Sequence, residues 1–312
     1  MTGRILSTSA LVGPALGTLG ARFPELRLAP FRSPAWTAAL PEAEALVVLL
    51  SEPLTEADLA AAPRLRAIGT YSVGVNHLPL EACAARGITV VSTPGVLTEA
   101  TADLALALLM AVTRRVAEGE ALVRSGAWTG WAPEQLLGIG LAGKTCGILG
   151  SGPIGRAFAR RVWALGMHPV FWDREGAGGQ VDIGPVHAPR LPLAALLPAS
   201  AVLSLHCPLT THTRGLLDRR ALEQLPPGAV LINTARGGIL DEGATMDLLD
   251  AGRLGGAGLD VYAGEPDLDF RWLRTPRTVL LPHLGSATVE AREAMARLLC
   301  DGLAAALNTP RC

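Results

Sequence analysis

A regular alternation of short apolar runs with Ala- and Leu-rich helical stretches restricts the fold more than any other feature of this sequence. In the first third of the chain, the apolar runs occupy residues 4–9, 26–30, 45–50, 65–72 and 88–93. The later runs occupy residues 144–150, 168–173, 201–207, 229–235, 256–262 and 278–283. Strands that alternate strictly with helices form parallel sheets with helices on both faces. The pattern therefore predicts an α/β fold.

A longer helical stretch interrupts this alternation at residues 97–126. The stretch predicts one continuous helix, which Thr98 begins as a cap and Gly126 ends. At 312 residues the chain exceeds the length at which a single hydrophobic core usually stops growing. We therefore expect two α/β units, with the long helix as the connection between them.

The composition excludes several classes of partner. Apolar residues make up 49% of the chain and charged residues 18%, as in well-packed folded proteins. The 27 Lys and Arg residues nearly balance the 28 Asp and Glu residues and form no basic block, so we expect no nucleic-acid partner. The uncharged apolar stretches 45–50 and 104–112 are shorter than the roughly 20 residues of a membrane span, so we expect no membrane insertion.

The N-terminus and the cysteines predict the compartment. Residues 5–17 faintly resemble a signal peptide, but Gly13, Pro14 and Gly17 interrupt the apolar core that such a peptide needs. The cysteines form no C-x-x-C pair and no Cys/His cluster. They are Cys83, Cys146, Cys207, Cys300 and Cys312. We therefore expect mostly buried, reduced thiols, no disulfide, no metal site and a cytoplasmic protein.

The most specific local motif is GILGSGPIG at residues 147–155. A strand leads into Gly150, Gly152 and Gly155 with G-x-G-x-x-G spacing, and a helix follows. In such a motif the glycines allow a tight turn, close approach of a pyrophosphate, and packing of helix on strand. The next strand ends at Asp173, near the ~20-residue spacing at which an acid accepts hydrogen bonds from a ribose. Pro153 suits the first helical position but removes one N–H donor. The motif predicts a dinucleotide site.

Three charged residues follow the last three apolar runs: Arg236, Glu265 and His283. Each has an ordinary explanation by itself, as a solvated Arg, a turn acid before a proline, and a partly buried ring. Beside a nicotinamide site, however, they form a set that suits a keto-acid reductase. An Arg can bind a carboxylate with two hydrogen bonds, a His can protonate a carbonyl oxygen, and a carboxylate can favour the protonated His.

Seven stretches of the chain resemble one known family. They are SVGVNHLPL (72–80), TEATADLALALLMA (98–111), LAGKTCGILGSGPIGRAFARR (141–161), LSLHCPLTTHTRGLLD (203–218), INTARGGILDEGA (232–244), GAGLDVYAGEP (256–266) and LLPHLGSAT (280–288). In this order they are similar to the D-isomer-specific 2-hydroxyacid dehydrogenases over nearly the whole chain. The resemblance implies an NAD(P)-dependent enzyme for small 2-keto or 2-hydroxy acids, with Arg236, Glu265 and His283 as its catalytic triad.

The resemblance also implies the remaining site residues. The substrate is expected at Ser51, the backbone of Val73 and Gly74, Arg236 and His283. The cofactor is expected at Thr101, Gly150, Gly152, Pro153, Ile154, Gly155, Asp173, Arg174, Cys207, Pro208, Thr213, Thr234, Ala235, Arg236, Asp260, His283 and Gly285. Among these residues, the nicotinamide half is expected to contact Cys207, Pro208, Thr234, Ala235 and Asp260.

Within the family, three stretches resemble the glyoxylate/hydroxypyruvate reductase branch: LLSEPLT (49–55), SVGVNHL (72–78) and GWAPEQLLG (130–138). The chain departs from the family pattern at Pro153, where an Arg is common, at Gly95, where an Asp is usual, and over residues 175–190. The alternatives are a dehydrogenase of phosphoglycerate or D-lactate type, and a non-catalytic NAD-sensing corepressor. The complete triad argues against the corepressor, and a formate-type enzyme would have Gln at position 265.

The expected domains, assembly and cofactor complete the predictions from the sequence. Residues 1–97, completed by 286–312, are expected to form a flavodoxin-like substrate-binding domain, and residues 98–285 a dinucleotide-binding Rossmann domain. Trp128 and Trp131 lie in a loop with little local core. They are expected at a homodimer interface, the alternative being packing on their own domain. Asp173 favours NAD because its carboxylate would repel a 2′-phosphate, whereas Arg174 leaves NADP possible.

Overall fold

The computed structural model describes residues 4–11, 20–174 and 178–308. In chain order, its strands are β1 (Ile5–Ser7), β2 (Arg27–Leu28), β3 (Ala45–Val48), β4 (Ala67–Thr70), β5 (Thr89–Val91), β6 (Thr145–Leu149), β7 (His168–Trp172), β8 (Gln180–Asp182), β9 (His187–Pro189), β10 (Val202–Leu205), β11 (Ala229–Asn233), β12 (Leu254–Leu259) and β13 (Thr278–Leu280). Its α-helices are α1 (Pro34–Ala39), α2 (Glu56–Ala61), α3 (Leu80–Ala85), α4 (Thr98–Thr113), α5 (Val116–Arg124), α6 (Pro153–Ala164), α7 (Leu193–Ala199), α8 (Arg219–Glu223), α9 (Glu242–Asp250) and α10 (Val289–Asn308). Short 3-10 helices span Leu40–Glu42, Gly237–Ile239 and Phe270–Leu273.

Two compact units divide the chain, Met1–Leu97 with Ser286–Cys312, and Thr98–Gly285. In the first unit, five parallel strands have the order β2-β1-β3-β4-β5. All residues of β3 and β4 are buried, as expected for strands with helices on both faces. On β4, a Cβ at Gly69 would lie 2.5 Å from Leu299 Cδ1, so α10 packs closely on the sheet at this glycine.

The second unit contains six parallel strands in the order β13-β12-β11-β10-β6-β7. One face of the sheet packs against residues such as Leu222 and Leu249, and the other packs against residues such as Leu108 and Phe158. The strand order reverses between β6 and β10, and ligands bind at such a switch point in open α/β sheets. The predicted fold class, two doubly wound parallel-sheet domains, is confirmed.

The prediction of one continuous helix over residues 97–126 is wrong. The helix ends at Thr113, a second helix begins at Val116, and Arg115 between them is left-handed with a φ of 52°. The reason is a contact from outside the helix, because the N–H of Ile139 donates to the Thr113 carbonyl at 2.8 Å. The predicted end is confirmed, since Gly126 follows α5 with a φ of +71°.

A short antiparallel hairpin, β8 with β9, lies where the sequence predicted no element. Its strands have three residues each, and only Val181 and Ala188 are buried within them. After the hairpin, Arg190 pairs in parallel with Phe171 of β7. The hairpin therefore returns the chain to the outer edge of the second sheet.

The structure shows the state of the cysteines and the lengths of the apolar helices. Cys83, Cys146, Cys207 and Cys300 are buried thiols, as expected, and Cys312 lies outside the described residues. No helix in the described ranges is both long and apolar enough to cross a membrane.

Candidate active site

The carboxyl edge of the second sheet carries most of the predicted site residues. Four strands are each followed directly by a predicted site residue: β6 by Gly150, β7 by Asp173, β11 by Thr234 and β12 by Asp260. Because the strands are parallel, their carboxyl ends lie at the same edge, where open α/β sheets bind ligands.

His283 and Glu265 form a hydrogen-bonded pair at this edge. His283 Nδ1 lies 2.7 Å from Glu265 Oε2, and the side chains are 25% and 26% exposed. The other oxygen of Glu265, Oε1, accepts a hydrogen bond from the N–H of Tyr262 at 2.7 Å. With Nδ1 engaged by the carboxylate, Nε2 is the ring nitrogen that can exchange a proton with a substrate.

Electrostatics keep Glu265 ionised beside His283. Burial raises the pKa of Glu265. Hydrogen bonds from His283 and from the Tyr262 N–H act in the opposite direction, as do the positive charges of His283 and Arg236. Together they outweigh burial and hold the pKa of Glu265 below its ordinary value. Burial lowers the pKa of Arg236, and the charge of Glu265 acts in the opposite direction. Arg236 and Glu265 therefore interact electrostatically, and three charged groups share one partly buried site.

A buried amide positions Arg236. Asn233, which is fully buried at the end of β11, donates from Nδ2 to the Arg236 carbonyl at 3.0 Å and accepts from the Ala235 N–H at 3.0 Å. Arg236 Nη1 donates to the Ala235 carbonyl at 2.7 Å. A Cβ on Gly237 would lie 2.0 Å from the carbonyl carbon of Tyr262, so only glycine fits there. The turn that carries Arg236 is thus packed directly against the segment that leads to Glu265.

Asp260 organises the loop that carries His283. Its carboxylate accepts from the N–H of Leu284 at 2.6 Å and from the N–H of Gly285 at 2.8 Å, and its carbonyl accepts from the N–H of His283 at 3.0 Å. Burial raises the pKa of Asp260, although these two N–H donors and the charge of His283 act in the opposite direction. Thr101 Oγ1 donates to the Gly285 carbonyl at 2.9 Å. His283 itself is left-handed, with a φ of 57°, so its loop is tightly constrained.

The glycine-rich turn has the shape that a dinucleotide requires. Gly150 has a φ of +109°, and a Cβ on it would lie 2.7 Å from the His206 carbonyl. A Cβ on Gly155 would lie 2.1 Å from the Gly150 carbonyl, so α6 packs closely on β6. Gly152, the N-cap of α6, would instead direct a Cβ into open space. Gly152 therefore leaves a cradle at the helix N-terminus, followed by Pro153 and Ile154, where a pyrophosphate fits.

Asp173 has two partners that the sequence did not predict, Ser151 and Arg190. Its Oδ2 accepts a hydrogen bond from Ser151 Oγ at 2.6 Å and lies 2.9 Å from Arg190 Nε. The Asp173 and Arg190 side chains are only 14% and 18% exposed. Arg174, which follows Asp173 in the sequence and was the expected cation beside it, is exposed. The charge next to the acid is therefore that of Arg190, and Arg174 projects into solvent.

The remaining predicted cofactor residues lie after β10 and β11. Thr213 Oγ1 donates to the Pro208 carbonyl at 2.6 Å and accepts from the Thr210 N–H at 2.8 Å, which closes the loop after Cys207. Burial raises the pKa of the Cys207 thiol to about 11, so this residue stays neutral. Thr234 Oγ1 is buried and has no hydrogen-bond partner among the described residues. An orphaned hydroxyl is unusual in a folded protein, and a bound ligand would satisfy it.

These observations show that the site fits a nicotinamide dinucleotide. The cradle at Gly152, the acid at Asp173 and the orphaned Thr234 hydroxyl lie at one edge of one sheet, and Ala235 follows Thr234 there. Within the described ranges, no cluster of His, Cys, Asp and Glu side chains is arranged to hold a metal ion.

The predicted substrate contacts outside the triad belong to the first unit. Ser51 follows β3, and Val73 and Gly74 follow β4, which pairs with β3 in parallel. They therefore lie at the carboxyl edge of their own sheet. Ser72 Oγ donates to the Gly74 carbonyl at 2.7 Å and holds this turn, in which Val73 is 39% exposed.

Four residues of the second unit position the site but were not predicted as site residues: Ser151, Arg190, Asn233 and Tyr262. For two of them the sequence contains a signal, because Asn233 is a polar residue at the end of a buried strand and Ser151 lies within the glycine motif. Tyr262 contributes its backbone N–H, which carries no sequence signal. Arg190 reaches the site only through the hairpin, which the sequence did not reveal.

The fold and the site together define an NAD(P)-dependent oxidoreductase. The family model for the D-isomer specific 2-hydroxyacid dehydrogenase NAD binding domain matches residues 106–285. The chain belongs to the D-isomer specific 2-hydroxyacid dehydrogenase family.

Individual relatives agree with this assignment. The chain is 44% identical to a glyoxylate reductase of Thermococcus litoralis, over 85% of this chain and 80% of the relative. It is 39% identical to a glycerate dehydrogenase of Hyphomicrobium methylovorum, over 83% and 80% of the two chains. A solved NADPH-dependent glyoxylate/hydroxypyruvate reductase of Sinorhizobium meliloti, in complex with NADP and malonate, is 33% identical and superposes with a TM-score of 0.88, covering 98% of this chain and 94% of that one.

Proposed function

We propose that this protein reduces glyoxylate and hydroxypyruvate with a reduced nicotinamide cofactor. The observation that carries the proposal is the 2.7 Å pair of His283 and Glu265 beside Arg236, at the carboxyl edge of a dinucleotide-type sheet. This set contains a proton donor, a group that favours its charged form, and a cation for a carboxylate. The choice of substrates is supported by the relatives named as glyoxylate reductases and by the GWAPEQLLG stretch at residues 130–138.

The triad residues have distinct roles in this proposal. When bound, the reduced nicotinamide supplies a hydride to the carbonyl carbon of the 2-keto acid. His283 donates a proton from Nε2 to the carbonyl oxygen. Arg236 binds the substrate carboxylate and polarises the carbonyl, and Glu265 stabilises the imidazolium through Nδ1. In the reverse direction, neutral His283 accepts the proton of the 2-hydroxy acid.

We assign cofactor binding and the catalytic triad to residues 98–285, and the other substrate contacts to residues 1–97 with 286–312. For the first role, the support is the glycine cradle and the Thr234 hydroxyl. The other cofactor contacts assigned to the same unit are Thr101, Ile154, Cys207, Pro208, Thr213, Ala235, Asp260 and Gly285. For the second role, Ser51, Val73 and Gly74 lie at the carboxyl edge of the first sheet and offer polar backbone groups.

A steady-state assay tests the proposed function. Glyoxylate, hydroxypyruvate, pyruvate and phosphohydroxypyruvate are each assayed with NADH and with NADPH. We expect the highest kcat/KM for glyoxylate or hydroxypyruvate. A highest value for pyruvate or phosphohydroxypyruvate would assign the protein to the D-lactate or phosphoglycerate type. Tight binding of NADH without turnover of any of the four acids would support the corepressor alternative.

The assembly and compartment form a further part of this proposal. Trp128 and Trp131 are 53% and 83% exposed in the single chain, and the neighbouring Leu137 is 65% exposed. A second copy of the chain would cover this apolar surface, which supports a homodimer. The buried thiols suit the reducing conditions of the cytoplasm. Sedimentation at micromolar concentration tests the dimer, and a monomer would refute it.

A further inference from the structure

We propose that Arg190 is a specificity-determining residue that makes the adenosine ribose pocket tolerant of a 2′-phosphate. The inference rests on the proposed use of a nicotinamide dinucleotide. It concerns the choice between NADH and NADPH. The acid at the end of β7 is usually sufficient to reject the phosphate, and in this chain that acid has a cationic partner.

The Asp173 carboxylate contacts both Arg190 and Ser151. Arg190 Nε lies 2.9 Å from Asp173 Oδ2, and the same oxygen accepts a hydrogen bond from Ser151 Oγ at 2.6 Å. Ser151 belongs to the glycine-rich turn, so the ion pair lies directly beside the dinucleotide cradle. Both charged side chains are more than four-fifths buried, and at such sites solvent screens charges far less than at the surface.

The main chain holds Arg190 in this position. The N–H of Leu191 donates to the Phe171 carbonyl at 2.8 Å, which fixes the chain beside the end of β7. On the other side, the Arg190 N–H donates to the Gly179 carbonyl at 3.2 Å. The Arg190 backbone is therefore part of a parallel pairing with β7, and its side chain starts within reach of the acid.

The charge balance of the pocket follows from this pair. A lone Asp173 would place a negative charge against a 2′-phosphate of charge about −1.5 to −2. Arg190 brings the sum of the two protein charges to zero and adds a donor of the type that binds phosphate well. Exposed Arg174 adds a weaker, solvent-screened attraction. The pocket therefore penalises NADPH less than an isolated acid would.

The experiment measures cofactor binding directly, by titrating the full-length protein with NADH and with NADPH and following nicotinamide fluorescence. The variants are Arg190→Gln, which removes the charge, and Arg190→Lys, which keeps it. Arg219→Gln is the matched control, since it removes an exposed, ion-paired Arg with no role in the site. Thermal unfolding of each variant shows whether it is folded.

We expect Arg190→Gln to raise the Kd for NADPH relative to that for NADH by about tenfold, which corresponds to ~1.4 kcal/mol. Arg190→Lys is expected to stay within a few-fold of the wild type, and Arg219→Gln to leave the ratio unchanged. A ratio in folded Arg190→Gln within about twofold of the wild type would show that the ion pair only joins the hairpin to β7, and would overturn the inference. If the wild type binds neither cofactor, the proposed function itself fails.

Discussion

Nδ1 of His283 lies 2.7 Å from Oε2 of Glu265, and this contact joins the loop after β13 to the loop after β12. One carboxylate oxygen holds the ring, and the other is held by the Tyr262 N–H. The imidazole is therefore fixed on the side away from its reactive nitrogen. A ring held in this way does not have to be ordered by the substrate first, which suits the proposed proton donor.

Replacement of His283 by Gln tests the proton donor. The variant keeps a polar side chain but loses the titratable proton, so we expect kcat for reduction to fall by roughly 10²–10⁴. Titration with the cofactor, followed by fluorescence, shows whether the variant still binds the dinucleotide. His168 is the first residue of β7 and lies at the edge of the sheet opposite to the site. His168→Gln is therefore the matched control and should retain normal turnover. Nearly full turnover in His283→Gln would refute the assignment.

Replacement of Glu265 by Gln tests the partner of His283. The carboxylate favours the protonated ring, which is the form that donates in reduction. Without the carboxylate, the protonated ring loses its charged partner, so we expect kcat/KM for reduction to fall below that of the wild type at the same pH. An unchanged kcat/KM would refute the role of Glu265.

The same variant should change how stability depends on pH. The pKa of Glu265 is lower in the folded protein than its ordinary value, so the folded state holds this proton less tightly than the unfolded state. Its ionised form therefore stabilises the fold above the ordinary carboxyl pKa, and this contribution is lost as the pH falls through the lower, folded-state pKa. We measure the free energy of unfolding by urea denaturation at pH 7 and in acid. Between these two conditions it should fall more in the wild type than in Glu265→Gln. Equal losses would contradict the lowered pKa.

Adjacent glycines offer a sharp test of how Arg236 is positioned. A Cβ at Gly237 would lie 2.0 Å from the Tyr262 carbonyl carbon, whereas a Cβ at Gly238 meets nothing closer than 3.4 Å. We expect Gly237→Ala to destabilise the protein by about 1–3 kcal/mol and to raise KM for the keto acid. Gly238→Ala should be tolerated in both respects. Thermal unfolding and steady-state kinetics compare the stability and the KM of the two variants. Equal stability and equal KM in Gly237→Ala and Gly238→Ala would refute the close packing at Gly237.

Cofactor choice gives a fifth prediction. Asp173 should make kcat/KM higher with NADH than with NADPH, because its carboxylate can accept hydrogen bonds from the ribose hydroxyls of NADH. Arg190 offsets the repulsion of a 2′-phosphate but leaves the pair with no net positive charge. Asp173→Ser removes the acid but keeps Arg190 and Arg174. It should reduce the ratio of kcat/KM with NADH to kcat/KM with NADPH by about tenfold, or ~1.4 kcal/mol. A wild-type preference for NADPH, or an unchanged ratio in the variant, would show that the arginines dominate the pocket.

Particular residues explain what the sequence could and could not predict. The G-x-G-x-x-G spacing predicted the turn at Gly150 and the acid at Asp173, and the end of a later strand predicted His283. Parallel strands carry their carboxyl ends to one edge, which is why these residues, far apart in sequence, lie at the same edge of the sheet. The break at Arg115 was missed because residues 112–116 contain no glycine or proline to signal it. The external contact at the break, the Ile139 N–H bonded to the Thr113 carbonyl, comes from a distant part of the sequence. The role of Arg190 was missed for a similar reason, because its approach to Asp173 depends on the β8–β9 hairpin, whose strands are too short and polar to be recognised.

The close packing at Gly237 has a consequence for redesign of this enzyme. Tyr262 touches the turn that carries Arg236 through its carbonyl carbon, and it holds Glu265 through its N–H. Tyr262 thus joins Arg236, the proposed anchor for the substrate carboxylate, to Glu265 of the proposed proton-transfer pair. An attempt to admit longer acids by shifting Arg236 would also disturb proton delivery. Directed evolution toward new substrates should therefore accumulate its changes away from this turn.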